Sequence, residues 1–299
     1  MPDAPKIAHE HASTWNRRFV LRLHDGAEVE AVLYRGDTLC ISCQVGCAVR
    51  CPFCASGADG LQRPLELAEM IAQIERVEAE GVALRGVTVS GIGEPLHNAT
   101  AVEQLVSWCR DRATPASVTT SGGPTARLGA WLRDAPEHPF PHHGITISVH
   151  AGREPTRARL VPKGPPLAEL FAAIEDALPA MSRRRRKKTA LAYLLIEGEN
   201  DDEGELDAFA ARAAPLGLAV HLYALNPVPT SAMRGPARAR YEAVYARLRA
   251  SGLTVRMSSQ ARIEANGGCG TLVALRRRDP LRASTLAPDD LRTSDPRNR

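Results

Sequence analysis

Long hydrophobic runs are missing from this sequence, and aromatic residues are scarce. No apolar stretch reaches the ~20 residues that a membrane-spanning helix needs, and residues 1–10 lack the apolar centre of a secretory signal peptide. Aromatic residues make up 4% of the chain, and the net charge is only +4. These shortages argue against a membrane protein and predict a cytoplasmic location. The small positive charge permits an anionic partner without requiring one.

The composition is otherwise that of an ordinary folded protein. Hydrophobic residues make up 44% and charged residues 24% of the 299 residues. These values exclude disorder, collagen and coiled coil as descriptions of the whole chain. The length predicts one large domain, with or without a small appendage. A monomer is the default expectation.

Cysteine is crowded into one part of the chain. Five of the seven cysteines lie within residues 40–54, and the full set is Cys40, Cys43, Cys47, Cys51, Cys54, Cys109 and Cys269. Without an export signal, such crowding indicates metal binding or redox chemistry and not a framework of disulfides. The odd number of cysteines also fits complete pairing poorly.

Strand and helix patterns alternate along most of the chain. A hairpin is predicted from residues 19–23 and 29–34, which flank a turn containing Gly26. Further strands are predicted at 38–42, 86–89, 116–119, 144–149, 189–196, 218–222 and 253–257. Helices are predicted at 67–77, 99–112, 125–134, 167–178, 203–214 and 236–250. This alternation favours parallel βαβ units in an α/β fold, either an open sheet or a barrel.

Polar or glycine-rich segments follow several of the predicted strands. They are the cysteine cluster and residues 90–95, 119–123, 148–150 and 226–227. Because right-handed crossovers bring the carboxyl ends of parallel strands to one edge, we expect these segments to converge there. Glycine permits close approach to a ligand, and the carboxylate of Glu94 can accept a hydrogen bond from an ammonium group. Plainer interpretations are a βα turn, a structural histidine at His150 and a turn-forming asparagine at Asn226.

The cysteine pattern C-x3-C-x2-C is formed by Cys47, Cys51 and Cys54. Thiolates are soft ligands that suit zinc or iron–sulfur clusters. Three thiolates can hold three irons of a [4Fe–4S] cluster and leave the fourth iron open to a substrate. The alternative is a zinc site that recruits Cys43 or Cys40 as its fourth ligand.

This spacing, on the loop after a strand and with Phe53 before the last cysteine, resembles the radical S-adenosylmethionine (SAM) superfamily. The resemblance implies a partial (β/α)6 TIM-like barrel, here with a small N-terminal β-hairpin, and two cofactors, a [4Fe–4S] cluster and SAM. In that superfamily SAM chelates the open iron, and electron transfer cleaves it to methionine and a 5′-deoxyadenosyl radical. The expected electron donor is a flavodoxin or a ferredoxin.

A narrower resemblance is to the RlmN/Cfr family of RNA adenine methyltransferases. It includes Thr-Leu-Cys-Ile-Ser-Cys-Gln-Val-Gly-Cys at 38–47 and further blocks at 91–95, 119–122, 148–151, 225–229 and 269–270. The blocks extend from residue 19 to residue 275. They include Cys40 and Cys269, two cysteines that other radical SAM enzymes lack.

This resemblance implies a mechanism that uses two cysteines. One SAM methylates Cys269, and the radical made from a second SAM removes hydrogen from that methyl group. The carbon radical adds to C2 or C8 of adenine, and Cys40 then attacks the sulfur of Cys269, so that a disulfide forms and the product leaves. Glu30 matches the proposed proton acceptor. The residues that match SAM contacts are Gly93, Glu94, Thr119, Ser148, Val149, His150 and Asn226.

The catalytic candidates also have structural interpretations. Cys269 would then be a buried or stray thiol, although its glycine neighbours favour a mobile loop. Cys40 would be a core residue of its strand, and Glu30 a solvent-facing residue of the hairpin. Cys43 and Cys109 are assigned structural roles.

The expected domain division is a segment with a hairpin at 1–36, a radical SAM core at 37–275 and a flexible basic tail at 276–299. The helical N-terminal domain usual in the family is expected to be absent, because about two dozen residues precede the hairpin. Thr119 and Cys43 each replace a usual serine. These departures leave the chemistry in place and make the substrate the open question.

Residues 183–188 are six consecutive cations, which can neutralise phosphates or can simply be a solvated connection. Three functions follow from the sequence. The first is methylation of adenine in rRNA or tRNA, and the second is the same chemistry on a small molecule or peptide. The third is RNA binding without catalysis by a protein that a metal or cluster stabilises.

Overall fold

The computed structural model describes residues 5–134, 140–228, 230–259 and 271–272. Within them the strands are β1 (Lys6–Ala12), β2 (Asn16–Arg22), β3 (Glu28–Tyr34), β4 (Thr38–Ile41), β5 (Gln44–Gly46), β6 (Leu61–Pro64), β7 (Gly86–Val89), β8 (Ala116–Thr120), β9 (Gly144–Ser148), β10 (Thr189–Leu195), β11 (Ala219–Ala224) and β12 (Val255–Met257). The helices are α1 (Leu67–Glu78), α2 (Ala99–Asp111), α3 (Thr125–Leu132), α4 (Glu154–Leu160), α5 (Leu167–Ala177), α6 (Arg183–Lys188), α7 (Glu203–Ala213) and α8 (Arg238–Ala250). None of the helices in these ranges has the length and apolarity needed to cross a membrane.

Ten of the strands form one sheet in the order β1-β2-β3-β4-β7-β8-β9-β10-β11-β12. The seven strands from β4 to β12 run parallel, and β1 to β4 pair antiparallel. The strands at the two ends, β1 and β12, are not paired with each other in the described residues. The predicted α/β fold, a partial barrel with an N-terminal hairpin, is therefore confirmed.

The two faces of the sheet differ in chemistry because side chains alternate along each strand and paired residues share a face. One face is large and apolar and joins the helices in one hydrophobic core; its residues include Val87, Val89, Val118, Ile145, Ile147, Leu191 and Leu195. On the other face, here called the inner face, Cys40, Thr88 and Ser117 form a row across three neighbouring strands. The inner face thus carries small and polar side chains.

The N-terminal part contains more strand than the sequence predicts. The predicted hairpin is confirmed as β2 and β3, which pair from Asn16 opposite Tyr34 to Arg22 opposite Glu28. The additional strand β1 pairs with β2 and has mostly exposed residues, Lys-Ile-Ala-His-Glu-His-Ala. Its sequence lacks the alternation of apolar and polar residues by which a strand is predicted. Because β3 pairs with β4, these strands continue the parallel sheet.

The six-cation run forms the short helix α6, which the sequence analysis did not predict. The Ser182 hydroxyl accepts a hydrogen bond from the Arg185 N–H and caps its first turn. Arg185 binds Asp134 with an Nε–Oδ1 distance of 2.6 Å and also contacts the His142 ring. Part of the run is therefore fixed against the protein.

Candidate active site

A cavity of about 1010 Å³, including its open mouth, lies at the carboxyl ends of the parallel strands. Nine residues that the sequence analysis selected line it: Cys47, Cys51, Cys54, Gly93, Glu94, Thr119, Ser148, His150 and Asn226. They come from loops or strand ends far apart in sequence. The arrangement of parallel strands thus brings the cysteine cluster and the selected loops to one place.

The cysteine loop is held in shape by short-range contacts. Cys47 N–H donates to the Gly60 carbonyl at 3.1 Å, and Cys54 N–H donates to the Cys51 carbonyl at 3.0 Å. Gly46 has a φ of +78°, and a Cβ there would lie 2.0 Å from the Gly60 oxygen, so only glycine fits. The three cysteines pack against an apolar cluster that includes Val49, Phe53, Leu160, Val161 and Leu194. The loop therefore presents the thiols from a largely apolar wall.

Burial changes the acidity of two of these thiols. It raises the pKa of Cys47 to about 12 and the pKa of Cys51 well above its usual range, and the neighbouring thiols add to both shifts. In the metal-free protein both groups therefore keep their protons at neutral pH. A metal that binds here must displace those protons.

Slow alkylation of Cys47 is the expected consequence in metal-free protein. At pH 8 its thiolate fraction should be lower than that of glutathione by roughly two to three orders of magnitude, because only the thiolate reacts. Peptide mass spectrometry over a time course with iodoacetamide measures the rate. In urea, which unfolds the protein and exposes Cys47, the difference in alkylation rate between Cys47 and glutathione should disappear. Folded protein in which Cys47 reacts as fast as glutathione would contradict the burial seen here.

The donor set fits a cluster better than a single zinc ion. Cys43 and Cys40, the candidates for a fourth zinc ligand, are buried and do not line the cavity. Zinc needs its sulfurs about 2.3 Å from one centre, whereas the irons of a cluster each take a different cysteine. Three soft thiols along one cavity wall therefore suit an iron–sulfur cluster.

Glu94 joins two of the loops around the cavity. Its buried carboxylate accepts hydrogen bonds from the Thr120 hydroxyl, from Leu96 N–H at 3.1 Å and from Ser121 N–H at 2.7 Å. Its own N–H donates to Gln44 Oε1 at 2.8 Å. A carboxylate has about four acceptor sites, so one further donor, such as an ammonium group, can still be accommodated.

The glycines of this loop are required by contacts within the protein. A Cβ on Gly91 would lie 2.7 Å from the Ile41 carbonyl oxygen, and one on Gly93 would lie 2.7 Å from Gln44 Cβ. Gly93 also has a φ of +115°. The sequence analysis attributed these glycines to close approach of a ligand. The structure gives a second reason, the packing of the loop against the end of β4.

His150 is held in one neutral form. Its Nδ1 accepts a hydrogen bond from Leu194 N–H at 3.0 Å, so the ring hydrogen lies on Nε2. Burial lowers the pKa of His150 to about 3. Asn200, which the sequence analysis did not select, donates to the His150 carbonyl at 2.8 Å and fixes its left-handed backbone, φ 57°. His150 can thus offer a hydrogen-bond donor to a ligand in the cavity.

Val149, another predicted contact, is fully buried and does not line the cavity. Its N–H donates to the Ala192 carbonyl at 3.0 Å. Its carbonyl accepts from Arg157, at 2.9 Å from Nη1. The sequence analysis did not select Arg157, since a lone arginine within a helix has no distinctive pattern. Both residues hold the end of β9 from behind.

The three catalytic candidates differ in what the structure shows of them. Cys40 lies on the inner face, with Sγ 3.2 Å from the hydroxyl of Ser90, which lines the cavity. Glu30 shares that face, since it lies two residues before Val32, the partner of Cys40. Its buried carboxylate is 3.9 Å from Arg18 Nη1, so it does not face solvent. Cys269 lies outside the described residues.

The six cysteines within the described residues form no disulfide with one another. The disulfide that the family resemblance implies for Cys40 would need Cys269, which lies outside those ranges. Cys43 is buried, and its Sγ would lie 2.9 Å from a Cβ on Gly93. Cys109 is buried on α2. Neither Cys43 nor Cys109 lines the cavity.

Comparisons with known proteins agree with this geometry. Residues 41–210 match the Radical SAM superfamily. A probable RNA methyltransferase of Sorangium cellulosum is 33% identical over 275 residues, 87% of this chain and 66% of the relative. The dual-specificity RNA methyltransferase RlmN of the same organism is 34% identical over 80% of this chain and 62% of the relative. RlmN 1 of Myxococcus xanthus is 33% identical over 89% of this chain and 76% of the relative.

A solved structure is similar over most of the fold. The crystal structure of a radical SAM methyltransferase from Sphaerobacter thermophilus superposes with a TM-score of 0.78 and 30% identity, covering 90% of this chain and 81% of that one. The chain spans slightly less than two thirds of the length of the two Sorangium relatives.

Proposed function

The chain belongs to the radical SAM superfamily and, within it, to the RlmN-type RNA methyltransferase family, and from this premise we propose that it methylates a ring carbon of adenine in RNA. The observation that carries the proposal is the meeting of the three thiols of Cys47, Cys51 and Cys54 and the Glu94 loop at one cavity, with Cys40 on the adjoining inner face. A ring carbon of adenine is electron-poor, so it is not methylated by simple displacement on SAM. Covalent and radical chemistry overcomes this barrier.

Cys47, Cys51 and Cys54 would hold the [4Fe–4S] cluster that the superfamily implies. When bound, the cluster supplies the electron that cleaves SAM. Glu94 would accept a hydrogen bond from the SAM ammonium group at the acceptor site that its three protein donors leave over. The neutral His150 would donate from Nε2. The apolar wall around the thiols would limit the contact of a bound cluster with water.

Two cysteines would carry the methyl group and release the product. The sulfur of Cys269 carries the methyl group whose carbon becomes bonded to adenine. The Cys40 thiolate then attacks that sulfur, so that a sulfur–sulfur bond forms as the carbon–sulfur bond breaks. The electron pair of the broken bond stays with the methylene carbon and the ring, and this carbon takes up a proton to become the methyl group of the product. Glu30 would accept the proton lost from the ring carbon, and its carboxylate lies 3.9 Å from Arg18 Nη1. The placement of Cys40 beside Ser90 at the cavity wall supports this assignment.

RNA is the proposed partner, and the exposed cations of α6 are proposed to bind its phosphates. Arg183, Arg184 and Lys187 are exposed, whereas Arg185 is tied to Asp134. Changing Arg183, Arg184 and Lys187 to glutamine should weaken RNA binding and reduce the slope of log K against log salt by up to about 2. Titration of labelled RNA at several salt concentrations measures both effects.

The matched control replaces three exposed arginines on α2 and α8, Arg110, Arg238 and Arg249, by glutamine. It removes the same charge from other surfaces. An equal loss of affinity in both triple variants would show that α6 is not a specific contact.

Comparison of modified nucleosides tests the proposed function. RNA from cells with and without the gene is digested and analysed by mass spectrometry, and the purified protein is analysed for S-methyl on Cys269. A C-methyladenosine missing from the deletion strain and restored by the intact gene is expected. Identical nucleosides in both strains, with S-methyl still present on Cys269, would overturn the RNA assignment in favour of a small-molecule or peptide substrate. Protein without any SAM cleavage would overturn catalysis itself.

A further inference from the structure

Arg157 is a buried arginine at the junction of three loops behind the cavity. Its side chain is 1% exposed. Nη1 donates to the carbonyls of Ser148 and Val149 at 2.6 and 2.9 Å, and Nη2 donates to the carbonyl of Ser121 at 2.7 Å. Nε donates to the carbonyl of Pro165 at 3.1 Å. One guanidinium thus joins the ends of β8 and β9 to the segment before α5.

Four neutral carbonyls satisfy the hydrogen bonds of this group but do not neutralise its charge. Within the residues that the structure describes, the guanidinium forms no ion pair with a carboxylate. Burial lowers the pKa of Arg157 to about 10, so it stays positively charged at neutral pH. A buried cation without a paired anion is costly. Negative charge close to the guanidinium, from Glu94 or from ionised thiols at the cavity, offsets part of this cost.

The negative groups that favour the charged form of Arg157 are Cys51, once it is ionised, together with Glu94 and Glu154. The influence is mutual, since Arg157 favours the ionised form of Cys51. Cys51 and Glu94 line the cavity, and so do two of the residues whose carbonyls Arg157 binds, Ser121 and Ser148. The positive charge therefore lies close behind the wall that the three thiols occupy.

We propose that Arg157 is a positioning residue that raises the reduction potential of the cluster by placing one fixed positive charge directly behind the cavity-lining loops of Ser121 and Ser148. This inference rests on the proposed function, because it needs a cluster on Cys47, Cys51 and Cys54. Three thiolates make the cluster negatively charged, and reduction adds one more negative charge. A nearby buried cation stabilises the reduced form more than the oxidised form, since electrostatic interactions are strong where water is excluded. The same group holds the loops of Ser121 and Ser148 in place.

The sign of the shift separates this role from simple support of the loops. Removing the charge makes the reduced cluster less stable and lowers the potential. Loosening the loops admits water, which stabilises the more highly charged reduced cluster and raises the potential. Arg157→Gln loses both charge and hydrogen bonds, whereas Arg157→Lys keeps the charge and loses most of the hydrogen bonds.

The test is a redox titration of anaerobically reconstituted protein, with dithionite as the reductant, redox mediators and detection of the reduced cluster by electron paramagnetic resonance. In Arg157→Gln the ratio of reduced to oxidised cluster at a fixed potential should fall about tenfold, which corresponds to a potential lower by about 59 mV. Arg157→Lys should stay close to the parent. The matched control is Arg159→Gln on the same helix, because Arg159 is exposed and pairs with Glu199.

Each outcome decides the inference separately from the proposed function. A parent protein without a cluster contradicts the proposed function. A parent with a cluster and an Arg157→Gln potential that is unchanged or raised overturns only the role of Arg157. If Arg157→Gln does not take up iron, Arg157→Lys decides. The inference predicts that the Arg157→Lys cluster has the same reduction potential as the parent cluster. A potential about 59 mV lower, the value expected for Arg157→Gln, would overturn the inference.

Discussion

Replacing Cys51 by serine is expected to remove the cluster and to lower SAM cleavage by more than about a hundredfold. Cys51 is one of only three cysteines that line the cavity in the described residues, so no spare thiol is in position to replace it. Changes to residues that merely support a metal ligand already cost about 10- to 100-fold in affinity or activity, and loss of a ligand should cost more. Iron content, visible absorbance and release of 5′-deoxyadenosine measure the effect.

Cys109→Ser is the matched control for that experiment. Cys109 is also a buried free thiol with a raised pKa, but it lies on α2, away from the cavity. This variant should keep its iron and its activity. Equal iron content in the Cys51 and Cys109 variants would contradict the assignment of the ligands.

Replacing Cys40 by alanine is expected to stop turnover and to leave the protein covalently joined to its RNA. In the proposed reaction the Cys40 thiolate breaks the bond between the Cys269 sulfur and the methylated base. Without Cys40 that bond persists, and product release should fall below one turnover. A band of protein joined to labelled RNA on a denaturing gel, up to one RNA per protein, is the expected observation. The small volume of alanine suits a site where Cys40 is 1% exposed.

The double variant Cys40→Ala, Cys269→Ala provides the control. It lacks the sulfur that carries the methyl group and should form no adduct. An adduct that persists in the double variant would show that another residue attacks the base. Absence of any adduct in the Cys40→Ala variant during turnover of SAM would count against release through a disulfide.

Much of the sheet could be predicted because its apolar patterns are strong. Gly86–Val89 is predicted and observed with the same bounds, and the other parallel strands and their long helices differ by only a few residues. Strands β1, β5 and β6 and helices α4 and α6 were not predicted. β1 has no apolar alternation, and α6 consists only of cations that would repel one another without the Ser182 cap and the Arg185–Asp134 pair. β1 depends on its pairing with β2, and α6 depends in part on Asp134, which is distant in the sequence.

The candidate site shows the same division. The selected loops follow strands, so their convergence follows from the direction of a parallel sheet. The bonds among those loops do not. That Glu94 is bound by Thr120 and Ser121, or that Arg157 binds the carbonyls of two other loops, depends on how neighbouring βα units pack. The structural roles of Gln44 and Asn200 escaped prediction for the same reason, since amide side chains carry no spacing pattern.

Electron paramagnetic resonance and Mössbauer spectroscopy of the anaerobically reconstituted protein, recorded before and after addition of SAM, test the central claim most directly. The account predicts one [4Fe–4S] cluster per chain held by three cysteines, with one iron whose spectrum changes when SAM binds to it. Protein that contains only zinc, or a cluster with four protein ligands and spectra that SAM leaves unchanged, would contradict it.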